Sequence, residues 1–205
     1  MIIIGLMGAA GAGKDTTADL IAAATTAGMA RFAFADALRA EIAQAWGVDV
    51  RVLLDRSLRD VQLEQLALRR CMDAGFCSYA WELASLPGIK PRTLMQRWGD
   101  YRRAQDLDYF IAPAEAARVR ARFDWCGVMV ATDVRFPNEA AWVRRNGGTL
   151  WRIVRAGLQV TDSHVSEHAT SDLAADATIR NDGTVDDLRR VVVDELASVV
   201  GYAPQ

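Results

Sequence analysis

Hydrophobic positions along this chain change period several times, and each change marks a new element. Ile2, Ile3 and Ile4 form a short β-branched run, the pattern of a buried strand. Beyond Gly8, Gly11 and Gly13 the spacing turns helical, with Ala18, Leu20 and Ile21 on one side and Gly28 as a stop. Residues 29–34 alternate like a second strand. Asp36 is placed to cap the next helix, whose face holds Leu38, Ile42 and Trp46 and which Gly47 closes. Residues 50–75 interleave Val52, Leu53, Leu58, Val61, Leu63, Leu66 and Leu68 with Arg and Asp and predict a further helix. Residues 74–90, with Gly75, Pro87 and Gly88, predict a loop with room for one short helix.

Pro91 stands at a favoured first helical position, and Leu94, Met95 and Trp98 give its helix an apolar face as far as Arg103. A helix over 108–123, interrupted at Pro113, comes next. Residues 125–132 are continuously apolar, as expected of a parallel strand covered on both faces. A helix over 137–146 stops at Gly147-Gly148, and 149–154 is another strand. A polar connection holds His164 and His168; the strand 177–180, a turn at 181–184 and an amphipathic helix through Val200 follow it. Strands alternate with helices and no hairpin signal intervenes. The fold class expected is therefore α/β, a doubly wound parallel sheet.

Composition narrows the picture further. At 205 residues and 51% hydrophobic, the chain suits one domain with a sizeable core and room for a small lid or insertion. A net charge of −2 supplies no overall basic field for a nucleic acid polymer. Three cysteines, odd in number and without metal spacing, and two histidines point to a reducing cytoplasm and no zinc site. The opening apolar run is too short for a signal peptide, and no segment is long enough to span a membrane.

The candidate chemistry begins where the first strand ends. Gly8-Ala9-Ala10-Gly11-Ala12-Gly13-Lys14, between a strand and a helix, is the setting in which a G-x-x-x-x-G-K spacing makes a phosphate site. Glycines let the backbone turn its N–H groups inward, and the helix adds unpaired amides and a positive dipole end. Lys14 adds a point charge for the terminal phosphates. All but two of the 24 basic residues are Arg, the exceptions being Lys14 and Lys90, so a slim ammonium is kept where an Arg fork would not fit. The residue after the lysine is Asp15 rather than Ser or Thr, with Thr16 behind it. Asp15 either helps hold magnesium, directly or through water, or merely complements the helix N-terminus.

Three further places carry two readings each. Arg39, just past a strand that should neighbour the first, is either a clamp on an acceptor phosphate or a solvated helix charge. Arg92, Arg97, Arg102 and Arg103 surround Gly99 on one helix and are either a lid closing over a phosphoryl group in flight or a surface cluster. Asp133 stands at the carboxyl end of a buried strand in a Walker-B-like position, with Arg135 and Glu139 on the same rim. It either orients magnesium or the acceptor, or caps the helix at Pro137 with Arg135 as its partner.

Several stretches together resemble the phage-type deoxynucleoside monophosphate kinases of the P-loop nucleoside monophosphate kinase group. They are 8–17 with its GKDTTAD continuation, 34–46 with Arg39, 92–96 running to Tyr101-Arg102-Arg103, 132–139, 164–167 and 179–184. The D-x-R-x-x-x-E and L-M-Q-x-x-G blocks are its most specific parts. The resemblance implies an adenylate-kinase-like P-loop domain over 1–205, with a core of about 1–48 and 124–205 and a helical lid and substrate region of about 49–123. It implies that Gly11, Ala12, Gly13, Lys14, Asp15 and Thr16 bind ATP phosphates and that the Asn181-Asp182-Gly183 turn lies near the adenine. By the same resemblance Arg39, Arg92, Asp133, Arg135 and Glu139 line the acceptor site, while Arg102 and Arg103 close on the phosphates; the catalytic group would be Lys14, Arg102, Arg103 and Arg135. Here Asp100 follows Gly99 where the family usually has Thr, which leaves open which of the two arginines points inward.

The expectation is transfer of the ATP γ-phosphate to a (deoxy)nucleoside 5′-monophosphate, with ATP and magnesium as cofactors and Asp15 and Asp133 as the metal-side carboxylates. Its partners are small nucleotides, with neither nucleic acid nor membrane, and a homodimer is left open. The location expected is the cytoplasm, the host's if phage-encoded. The alternatives are dephospho-coenzyme A kinase or another small P-loop kinase, and an ATP-binding switch that transfers nothing.

Overall fold

The computed structural model describes residues 1–158 and 172–200. Two compact units are present, one built from Met1–Phe34 and the described residues from Ile111 onward, the other from Ala35–Phe110.

The first unit is built on five parallel strands: β1 (Ile2–Met7), β2 (Met29–Phe32), β3 (Val128–Ala131), β4 (Thr149–Val154) and β5 (Ala177–Arg180), in the order β2-β3-β1-β4-β5. β1 and β3 occupy the middle and are buried almost throughout. A strand covered on both faces needs no alternation, which is why both read as unbroken apolar runs. Side chains on the two faces follow the pleat. Ile4 and Leu6 join Val130, Trp151, Ile153 and Ile179 under helix α1 (Lys14–Ala24) and a final helix described below as α8 (Val185–Val200), which contribute Ala18, Ile21, Leu188 and Val192. On the other face, a Cβ at Gly5 would meet Leu150, Val134 and Val143, so the helix carrying Val143 lies close against the sheet. That helix is α7 (Pro137–Arg145), which packs beside α6 (Ile111–Phe123), with Trp142 Nε1 donating to Glu115 (3.2 Å). Helices thus cover both faces, as the doubly wound expectation requires.

Several element edges differ from the sequence reading. β3 starts at Val128 rather than 125, because Cys126 N–H still donates to Ala121 O (3.0 Å) and Trp125 sits at φ 55 closing α6. Pro113 falls in the first turn of α6 and interrupts nothing, since a first-turn amide has no partner to lose. Helix α2 (Phe34–Trp46) begins before Asp36, whose carboxylate pairs instead with Arg39 (2.8 Å).

The second unit departs most from expectation. In place of one helix over 50–75 stand the single turn α3 (Arg51–Leu54) and 3-10 turns at Glu64–Leu66 and Leu68–Arg70. Leu63 and Ile89 exchange both backbone bonds (3.2 Å each), and that antiparallel bridge holds the segment extended where a helix would continue. Within 74–90 lie α4 (Ala74–Tyr79) and a 3-10 turn at Trp81–Leu83; α5 (Pro91–Gln105) runs as expected. The core of this unit is aromatic: Phe76 lies 4.7 Å from Trp98 between ring centroids, and Trp46 packs on both at 5.7 and 5.8 Å.

Candidate active site

All the strands of the first unit are parallel, so their carboxyl ends share one edge. From β1 the chain leaves over one face through α1, and from the adjacent β3 it leaves over the other through α7. Such a divergence opens a crevice at the carboxyl ends of those strands, where open α/β sheets bind ligands.

The loop out of β1 turns through Gly8 (φ 139), Gly11 (φ 83) and Gly13 (φ 104), backbone angles that suit glycine. Space excludes side chains as well. A Cβ at Gly8 would lie 2.3 Å from Ile153 O, and one at Gly13 2.3 Å from Asn181 Nδ2. Lys14 Nζ donates to Gly8 O (2.7 Å) and Ala9 O (2.8 Å), which holds the ammonium across the loop. Ala12 is buried in the core and anchors the loop. Gly13 is the N-cap of α1 and no side chain caps the first helix amides, a setting that favours an anion. Thr16 is half-buried in the first turn, and Thr17 Oγ1 donates to Gly13 O (3.0 Å).

Asn181 comes to the same loop from the far end of the chain. Its side-chain amide donates to Ala12 O (2.8 Å) and its backbone N–H to Val154 O (2.8 Å). Asp182 Oδ1 accepts from Ala156 N–H (2.5 Å), tying the loops after β4 and β5 together. The Asn181 turn is therefore part of the glycine loop's wall. The segment 164–167, also quoted for the resemblance, lies outside the described residues.

After β3, Val134 N–H donates to Leu6 O (3.1 Å) and keeps this loop bound to the end of β1. Asp133 Oδ1 accepts the Phe34 amide (2.7 Å), which caps the start of α2. The α7 cap falls to Glu139, only 2% exposed, whose Oε2 accepts from the amides of Arg135 (2.8 Å) and Phe136 (3.1 Å). A buried carboxylate is held by such charge-assisted bonds. Together they fix the backbone that presents Arg135.

Asp15 is ion-paired with Arg31 of β2 (2.6 Å), which also reaches Asp19 (2.8 Å). No motif pointed to Arg31. Among the described residues no group of three or more His, Cys, Asp or Glu side chains could hold a metal ion by itself. Asp15 stands in the first turn of α1 and Asp133 follows β3; single carboxylates of this kind suit magnesium, which takes one or two carboxylates plus waters and phosphate oxygens.

The second unit holds the remaining arginines. Arg39 Nη1 donates to Asp36 (2.8 Å) and Arg92 Nε pairs with Asp60 (2.8 Å). Arg102 Nε donates to Glu41 Oε2 (2.8 Å), the same oxygen that accepts Trp98 Nε1 (2.9 Å). Its guanidinium lies 5.0, 5.1 and 5.2 Å from the ring centres of Trp98, Tyr101 and Tyr109. Partial burial, the largest single effect, works against that charge, but the Glu41 bond and the charges of Glu41, Tyr109 and Asp73 together outweigh it and hold the Arg102 pKa above its ordinary value. Burial, then the Glu41 charge, raises the Tyr109 hydroxyl. Arg103 stacks over Phe110 (5.0 Å). Sequence reasoning missed Glu41 and also Asp73, whose Oδ2 stands 3.6 Å from Arg102 Nη2; the one hint was a carboxylate, Glu41, beside the apolar stripe of Leu38 and Ile42.

Comparison with known proteins adds one family. The sequence profile of deoxynucleotide monophosphate kinase matches residues 92–192. No curated protein matches the chain in sequence. Among solved structures, a sugar kinase from Janibacter sp. HTCC2649 aligns at 14% identity and TM-score 0.43, covering 100% of this chain and 96% of that one. A protein from Thermus thermophilus aligns at 18% and 0.49, covering 96% and 97%. Dephospho-CoA kinase from Campylobacter jejuni aligns at 12% and 0.46, covering 96% of each.

Proposed function

We propose that this chain is a deoxynucleoside monophosphate kinase, which moves the γ-phosphoryl group of ATP to a (deoxy)nucleoside 5′-monophosphate. The observation that carries the reading is the glycine loop between β1 and α1, with Lys14 across it, in a chain whose residues 92–192 match that family. In the reaction an oxygen of the acceptor phosphate bonds to the γ-phosphorus. The bond from that phosphorus to the β,γ-bridging oxygen breaks, and ADP leaves with the electron pair on its β-phosphate. A dianionic acceptor phosphate has no proton to lose, so no general base is needed. Positioning and neutralisation of charge carry the catalysis.

In this reading Gly11, Ala12, Gly13, Lys14 and Thr16 hold the ATP phosphates and Asn181 borders the nucleotide. Arg39, Arg92, Asp133, Arg135 and Glu139 serve the acceptor, and the Arg102–Arg103 pair supplies a cation for the group in transfer. Magnesium would bind with the phosphates, facing Asp15 and Asp133 directly or through water, and would neutralise phosphate charge there. Among the described residues no helix is long and apolar enough to cross a membrane. The working location proposed is the cytoplasm, of the host if the chain is phage-encoded.

The test is ADP release, by a coupled assay, with each common deoxyribo- and ribonucleoside monophosphate and with dephospho-coenzyme A. Turnover is expected with at least one monophosphate, and Lys14→Ala should abolish it while the protein stays folded. ADP release with dephospho-coenzyme A alone would overturn the acceptor; tight ATP binding with no acceptor-dependent release would make the chain a switch.

A further inference from the structure

Asp15 sets a problem that the glycine loop alone does not solve. It follows Lys14 directly and stands in the first turn of α1, at the helix end whose first amides no side chain caps. A carboxylate suits that end, because it opposes the positive dipole. It does not suit a polyphosphate arriving at the same amides, since like charges at close range repel.

Arg31 answers the problem from within the same unit. β2 is an edge strand of the sheet, and its register sets Arg31 beside Val130, on the face that α1 covers. From there the guanidinium spans two carboxylates one helical turn apart: Nη2 meets Asp15 Oδ1 at 2.6 Å and Nη1 meets Asp19 Oδ1 at 2.8 Å. A planar fork suits that double hold better than a point charge would. All three side chains reach solvent, at 39% for Arg31, 56% for Asp15 and 70% for Asp19. Ion pairs so exposed add little to stability. The pairing therefore serves something besides the fold, and the charge beside the glycine loop is what it acts on.

We propose that Arg31 is a positioning residue for the nucleotide site: it ties the Asp15 carboxylate to the edge of the sheet and offsets its charge, so that a polyphosphate can reach the glycine loop. This rests on the reading of that loop as the ATP site. Asp19 is the second anchor of the guanidinium. A divalent cation that arrives with the phosphates would do the same neutralising work, so Arg31 matters most for a nucleotide that comes without one.

The experiment measures ATP affinity by calorimetry, in EDTA and again with excess magnesium, on the full chain. Arg31→Gln should bind metal-free ATP about fivefold more weakly, a low figure for a unit charge at close range because these side chains meet solvent. The deficit should shrink in magnesium and in high salt. The melting temperature should stay within about 3 °C of wild type, as expected when exposed ion pairs are lost. Arg31→Lys, which keeps the charge, should keep most of the affinity. Adding Asp15→Asn to Arg31→Gln should restore metal-free affinity, while adding Asp19→Asn, one turn farther from the loop, should restore much less. The proposal is overturned by unchanged affinity in Arg31→Gln, by an equal deficit with and without magnesium, by equal rescue from Asp15→Asn and Asp19→Asn, or by a wild type that binds ATP only with magnesium. Each of those results leaves the nucleotide site standing. A wild-type chain that binds ATP in neither buffer sinks the site reading and the Arg31 role together.

Discussion

Gly13 shows how narrowly the loop is specified. Its φ of 104 is one that L side chains rarely adopt, and a Cβ there would fall 2.3 Å from the Asn181 amide. Gly13→Ala should cost at least about 1–2 kcal/mol from the left-handed backbone alone, and should also push Asn181 off Ala12 O. Chemical denaturation would read the first effect and loss of nucleotide affinity the second. This loop was legible in the sequence because its glycines, its lysine and their spacing all fall within the short stretch from Gly8 to Lys14. Arg31 was not legible, because its partner Asp15 is chosen by which strand lies beside α1, a fact of tertiary structure. Glu41 was hidden for the same reason, since only folding sets it against Trp98 and Arg102.

Among elements, the caps decide more than the propensities. Asp133 holds the first amide of α2, and Glu139 holds the turn into α7. Asp133→Ala should destabilise by about 1 kcal/mol through the lost cap. Asp133→Asn, which keeps an acceptor oxygen, should retain the melting temperature while losing turnover if the carboxylate also serves the nucleotide. Glu115 joins α6 to α7 through Trp142, and its pKa is lowered, chiefly by its bond to Arg118. A lowered carboxylate pKa stabilises the fold above the ordinary value near 4.5, and that stabilisation is lost as pH falls through the native value. The melting-temperature gap between wild type and Glu115→Gln should therefore be present at pH 6 and shrink toward pH 3. Helix α5 was read correctly from sequence because Pro91 marks its first position and Leu94 and Trp98 sustain an apolar stripe. The stretch 50–75 was misread because its leucines satisfy a helical period by chance, while the Leu63–Ile89 bridge and two 3-10 turns govern the backbone.

For the whole molecule, ligand binding should be visible as stability. A nucleotide that binds the native chain at 100 times its Kd adds about 2.7 kcal/mol, so ATP with magnesium should raise the melting temperature and Lys14→Ala should remove the rise. Strand alternation and the glycine loop made the α/β class readable in advance, because a parallel sheet forces a crossover after every strand. The order β2-β3-β1-β4-β5 was not readable, since periodicity says which residues face inward and nothing about which strand sits beside which.

The bond from Asn181 to the Ala12 carbonyl spans 169 positions of sequence. During synthesis the glycine loop is made well before β5, yet its wall is completed only after Asn181 has been translated. Contacts this distant form late and slow folding. Nascent and prematurely terminated chains that stop short of β5 would carry the lysine but lack the finished cradle, so any capacity to grip a nucleotide should switch on only once Asn181 has been made.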